Sequence, residues 1–332
     1  MILAFFKKSY FTQVSGVVFF AMLMAIPDFL QTQTEYIPQT TLFLKQFPLQ
    51  GWWQINWLYQ IINNLLLLAL AFYIKHILSK HELINRRNFL SSILVIALFN
   101  FLHPFQFQLI SVLNVFLLSF SLHYLLQSFE DEHPDNSIFS ASLLISFASL
   151  FSYSNFIFFP FIWISFFVFQ NYSIRYLPIT IIGLLSPYLF FFTWLFWFND
   201  LNIIIAEWNF INKSFFQVLQ IHGILQIIIF SILGFFAFIS LSKILPEVPS
   251  KIIAIRQKTT LSLWLLVFSF YPLVFFPDLV SNNFFIIAYA GLLAYYLTTL
   301  KNKRLWIDLL FTIFVILLII NKYYYASEIF LK

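Results

Sequence analysis

The chain has 332 residues, of which 61% are apolar and 22% aromatic, with a mean hydropathy of +0.88 and a formal net charge of +5. Soluble domains carry nearer half apolar residues, so the composition excludes an ordinary soluble protein and makes the lipid bilayer the first expected partner. The absence of cysteine removes disulfides, thiolate metal sites and cysteine nucleophiles. The basic residues sit in short loops between apolar runs, a membrane-orienting pattern that does not point to nucleic acid.

Repeated apolar runs predict an all-α, polytopic helical membrane bundle, because in hydrocarbon each backbone group must be satisfied within its own helix. The first run, about 11–28, follows Lys7 and Lys8. It lacks a convincing small-x-small cleavage site and many spans follow, so it reads as an uncleaved first helix. Residues 29–55 form a first outer loop in which Leu42, Phe43, Leu44 and Phe47, then Trp52, Trp53 and Trp57, suit a helix lying in the membrane interface. A span at 56–79 ends in the basic KHELINRR, 80–87.

About 40 apolar residues, 88–127, are broken by His103 and Pro104 and predict a tight helical hairpin. FEDEHPDN, 129–136, reads as a solvated acidic loop or a docking site for a cytoplasmic partner. A second hairpin, 137–170, breaks around Ser152–Asn155. Then come a span at 176–198, a second main outer loop at 199–214, a span at 215–242 and a basic loop at 243–258. A third hairpin, 260–299, turns near 276–283, and the last span is 306–321. The expectation is one integral membrane domain, 1–332, of nine to eleven transmembrane helices. With the N-terminus inside, 14 of the 18 Lys and Arg, including all five Arg, fall on the cytoplasmic side. Lys45, Lys213, Lys322 and Lys332 fall outside, so the topology reads N-in, C-out.

Asp28, Glu35, Asp200, Glu207 and Asp278 then face outward beside membrane exits. A half-desolvated carboxylate there can act as a general base, or it can simply mark a helix boundary where charge is cheap. Asp28, Glu35 and His103 are the catalytic candidates. Lys45, Trp52, Trp53, Asn100, Gln106, Asp200, Glu207 and Lys213 are the substrate-binding candidates, with Lys45 placed for a lipid phosphate. Asn100, His103, Gln106, Gln108 and Asn114 gather near the first hairpin turn, either for interhelical hydrogen bonds or around an outward cavity shared with Asp28. Pro27 favours a break or kink that aims Asp28 over the bundle, within reach of 199–214. No metal site is expected, no phosphate loop, zinc helix or nucleophile elbow is present, and no transmembrane segment reads as carrying several buried charges.

The stretch 152–200, SYSNFIFFPFIWISFFVFQNYSIRYLPITIIGLLSPYLFFFTWLFWFND, with Gly183 and Pro187 in a G-x-x-x-P span, resembles an uncharacterised family of bacterial polytopic inner-membrane proteins. That resemblance implies only a family of unknown function. Asp28, the 29–55 segment, and the 199–214 loop with Asp200 and Glu207 also resemble the C superfamily of membrane glycosyltransferases. This second resemblance implies a polyprenyl-phosphate-linked sugar as donor and no other cofactor, a divalent metal being left open. The chain departs from that pattern in having no paired acidic residues after helix 1, no outward Arg for the phosphate and no large soluble domain. The alternatives are a non-enzymatic subunit or scaffold of an envelope complex, with envelope proteins as partners, and a small-solute or lipid transporter.

Overall fold

A computed structural model describes residues 10–30, 56–85, 88–102, 108–131, 133–170, 173–198, 224–275, 283–299 and 305–330. Helix accounts for 91% of the structure, and no strand occurs among the described residues. In chain order the helices are α1 (Tyr10–Leu30), α2 (Asn56–Lys80), α3 (Leu90–Leu102), α4 (Gln108–Gln127), α5 (Asp135–Phe151), α6 (Phe159–Phe169), α7 (Tyr176–Trp197), α8 (Ile224–Glu247), α9 (Ile253–Phe275), α10 (Asn283–Thr299) and α11 (Leu305–Phe330). Six stretches, Tyr10–Phe29, Trp57–Lys80, Leu109–Gln127, Tyr176–Trp197, Leu225–Ser250 and Trp306–Tyr324, are long and apolar enough to cross a membrane. Their outer faces leave Phe19, Phe190, Trp197 and Trp306 exposed, as side chains facing hydrocarbon are.

The bundle is built around two short helices. Every residue of α3 from Leu90 to Phe101 is buried, and α10 is buried along nearly its whole length. α10 packs on α9, α3, α8 and α4, whereas α3 packs on α10, α2, α11 and α1. This corrects the tight hairpin expected over 88–127: its arms find their main partners elsewhere, and α2 packs against both. The physical reason is that α3 is apolar on all sides and too short to cross with an outer face to spare, so it gains most from complete enclosure. The break in the second hairpin takes the form of an extended Ser152 followed by a 3₁₀ turn, Tyr153–Phe158.

Of the prolines inside helices, Pro27 and Pro187 each free a carbonyl that another group satisfies. Pro27 has no N–H for the carbonyl of Leu23, which accepts instead from the Tyr323 hydroxyl at 3.1 Å, tying α11 to α1. Pro187 likewise frees Gly183 O, which accepts from Ser186 Oγ at 3.1 Å. At Gly183 itself α5 and α7 approach so closely that a Cβ would fall 1.9 Å from Ser142 Oγ and 3.0 Å from the carbonyl of Phe139. The neighbouring Ser146 Oγ donates to Leu184 O across the same seam at 2.6 Å.

Candidate functional site

Antiparallel succession puts the ends of α1, α3 and α11 at the same end of the bundle as the starts of α2 and α4. There, Lys322 Nζ donates to Asp28 Oδ2 at 2.8 Å and also to Asn100 Oδ1. Asp28 and Lys322 side chains are 2% and 1% exposed. Asn100 keeps its own place by donating from Nδ2 to Ile96 O at 2.8 Å. A charge at this depth is costly unless paired and hydrogen-bonded, and here the lysine joins a carboxylate on α1 to an amide on α3. On the same end, the backbone N–H of Leu109 meets the Tyr59 hydroxyl at 3.5 Å, and Asn155 Nδ2 donates to Asn114 Oδ1 at 3.0 Å and to Ala148 O at 2.9 Å. Gln60, Asn63 and Asn321 are also buried there.

Lys322 corrects the sequence reading. It was placed in an outer tail beyond a span ending at 321, but α11 continues to Phe330 and buries it. The pair joins one buried charge on α1 to one on α11, residues 294 apart. Asp28 does more than mark a boundary: α1 runs through Pro27 to Leu30, and the carboxylate faces the bundle interior. Of the other candidates, Asn100 joins the Asp28 site. Glu35, Lys45, Trp52, Trp53, His103, Gln106, Asp200, Glu207 and Lys213 lie outside the described residues, as do Asp278 and the 199–214 loop. A lone lysine, the first residue of KYYY (322–325), at the end of a long apolar run was the signal available for Lys322.

The opposite end collects every other described Lys and Arg, and there Glu130 of the largely exposed 129–136 loop finds an ionic partner. Glu130 Oε1 accepts from Lys258 Nζ and lies 3.4 Å from His81 Nδ1. His81 Nε2 lies 3.1 Å from His123 Nδ1, and His123 Nε2 lies 3.4 Å from Lys80 Nζ. Because lysine can only donate, the tautomers follow in order: His123 Nε2 accepts, its Nδ1–H donates to His81 Nε2, and His81 Nδ1–H donates to Glu130. Burial, reinforced by the Lys258 charge, pushes the His81 imidazole down to about 4. Burial alone would raise the Glu130 carboxyl, but the Lys258 and His81 contacts outweigh it and hold it below the usual carboxylate value. The chain of contacts clasps α2 and α4 to the start of α9. Beneath it lies a mainly apolar cavity of about 40 Å³, bordered by Leu78, Leu122, Leu263, Ile287, Gly291 and Tyr295.

No family model, curated protein or solved structure matches the chain. The functional reading therefore rests on these two clusters. Among the described residues no group of three or more His, Asp or Glu is placed to hold a metal ion. The Asp28 cluster offers an ammonium for an anion, a carboxylate for a proton and an amide for either.

Proposed function

We propose that this chain is a multi-pass protein of the bacterial inner membrane, N-in and C-out with nine to eleven crossings, that transfers a sugar from a polyprenyl-phosphate carrier at the Asp28 end. The observation that supports this reading is the buried Asp28–Lys322–Asn100 cluster, in which the lysine offers a cation in place of the outward Arg that the resembled glycosyltransferase pattern has and this chain lacks. In the resting protein the ammonium occupies Asp28. When a lipid-linked phosphate takes Lys322 as its counter-ion, Asp28 is released and accepts the proton of the acceptor hydroxyl. The acceptor oxygen then forms its bond to the anomeric carbon as the bond from that carbon to the phosphate oxygen breaks. The leaving electron pair stays on polyprenyl phosphate, held by Lys322.

The test uses a variant that removes both charges together, Asp28→Asn with Lys322→Met, so that neither is stranded. Purified wild-type and double-variant proteins are given radiolabelled polyprenyl-phosphate sugar and an envelope acceptor fraction. The expected result is transfer by the wild type and a loss of about 10²-fold or more in a double variant that remains folded. Undiminished transfer in the double variant refutes the role of the pair, and no transfer by the wild type refutes the enzyme. Orientation is tested separately: alkaline phosphatase fused after Lys332 is expected to be active, and fused after Lys258 inactive.

A further inference from the structure

Asn321 is 1% exposed, and neither its Nδ2 nor its Oδ1 has a hydrogen-bond partner among the described residues. This contrasts with the paired amides of the same end. Asn100 uses its amide in both directions, and Asn155 donates twice although its Oδ1 is idle, so that among the described residues Asn321 is the amide of this end idle at both of its atoms. An idle amide in a helical membrane bundle forfeits both a donor and an acceptor, and an isosteric leucine would avoid that cost. Such an exception calls for a group that is absent from the protein itself.

The position of Asn321 limits what that group can be. It immediately precedes Lys322, so the two side chains leave α11 about 100° apart at nearly the same depth. Lys322 turns toward α1 and α3, where it meets Asp28 and Asn100. Asn321 continues the stripe of Phe314 and Leu318, and Phe314 meets Phe236 of α8 at a ring separation of 6.0 Å. A second idle group, Gln60 Oε1, lies on α2 at the same end, 7% exposed and one residue from Tyr59. α1 packs against both α2 and α11, so idle amides stand on both of the helices that flank Asp28's own. A carboxamide offers a donor and an acceptor side by side, which matches a hydroxyl that donates and accepts, and matches adjacent hydroxyls still better.

We infer that Asn321 reads hydroxyl groups of the substrate's sugar, adjoining the Lys322 position that takes the phosphate. This rests on the proposed function and deepens it: the phosphate and the sugar are recognised by successive residues of α11. It makes Asn321 a specificity residue whose contribution is separable from that of the ion pair.

The experiment compares thermal unfolding of wild type and Asn321→Leu in nanodiscs, each alone, with undecaprenyl phosphate, and with undecaprenyl phosphate bearing glucose. Without ligand, Asn321→Leu is expected to unfold on the order of 2–4 °C higher, because an unsatisfied buried amide has been removed. Undecaprenyl phosphate is expected to raise the midpoint of both proteins equally. The glucose-bearing lipid is expected to add a further rise in the wild type that Asn321→Leu lacks. Equal responses of the two proteins to the glucose-bearing lipid overturn the inference while leaving the phosphate reading standing. A lower unliganded midpoint in Asn321→Leu also overturns it, since the amide is then satisfied by internal water and serves structure. If neither lipid shifts the wild type, the proposed substrate falls and this inference falls with it.

Discussion

Removing one member of the Asp28–Lys322 pair should damage the fold far more than removing both. The two side chains are 2% and 1% exposed and 2.8 Å apart, so each neutralises a charge that has no water to turn to. Truncating one partner of such a pair costs about 3–5 kcal/mol, whereas replacing both by neutral groups of similar volume is close to neutral. Asp28→Asn leaves Lys322 with the Asn100 oxygen as an acceptor and belongs near the lower figure. Lys322→Met leaves the Asp28 charge buried without its cation and belongs near the upper one. The double variant should return to within about 1 kcal/mol of the wild type, giving a coupling energy of several kcal/mol. Unfolding free energies from SDS titration in mixed micelles measure all four corners of the cycle. Two single variants each costing under about 1 kcal/mol, with an additive double, would be the behaviour of an exposed pair and would refute the burial argument. The same reasoning makes Asp28→Asn alone an ambiguous probe of catalysis, because the charge it strands can unfold the protein before any chemistry is tested.

Three further outcomes follow from the packing and the titrating groups. Gly183→Ala should destabilise by about 1–3 kcal/mol, because its Cβ would overlap Ser142 Oγ and press on the Phe139 carbonyl; adding Ser142→Ala should recover part of the loss in the same assay. Gly291→Ala should be neutral or stabilising by up to about 1 kcal/mol, since its Cβ meets only the movable end of Leu78 at 3.3 Å beside the 40 Å³ cavity. Acidification should loosen the opposite end of the bundle. His81 is neutral when folded and titrates at about 4 rather than 6.5, so its contribution is intact above pH 6.5 and falls away between 6.5 and 4. At about 1.4 kcal/mol per unit, discounted for the water that reaches Glu130, the loss is on the order of 2 kcal/mol. The lowered Glu130 carboxyl acts in the same direction, its stabilisation being lost as pH falls through its folded value. In His81→Gln, measured over the same pH range, the part of the slope due to His81 should vanish.

The breaks between elements were legible because they are written in local chemistry. Ser152–Asn155 interrupts an apolar run where the structure leaves α5, and Pro104 falls between α3 and α4. Periodicity could not tell which short helix goes to the centre, because α3 is apolar on every side and its partners are chosen by fit. Asp28 and Asn100 could be suspected singly, since polar residues in apolar runs are expensive wherever they end up. Their meeting with Lys322 could not be anticipated, because the lysine lies 294 residues from its partner and near enough to the chain end to pass for a tail charge. The partner of Glu130 was hidden for a related reason: the acidic run is exposed as its composition suggests, but the Lys258 that meets it lies at the start of α9, far along the chain.

The distance between Asp28 and Lys322 along the chain also sets a timetable for biogenesis. At about 5–20 residues per second, roughly 15–60 s separate the synthesis of Asp28 from that of its counter-ion. Throughout that interval the carboxylate of α1 lacks the Lys322 ammonium, so the contact that joins α1 to α11 closes only after α11 has been made. A ribosome that stops before α11 leaves a product in which Asp28 lacks that ammonium.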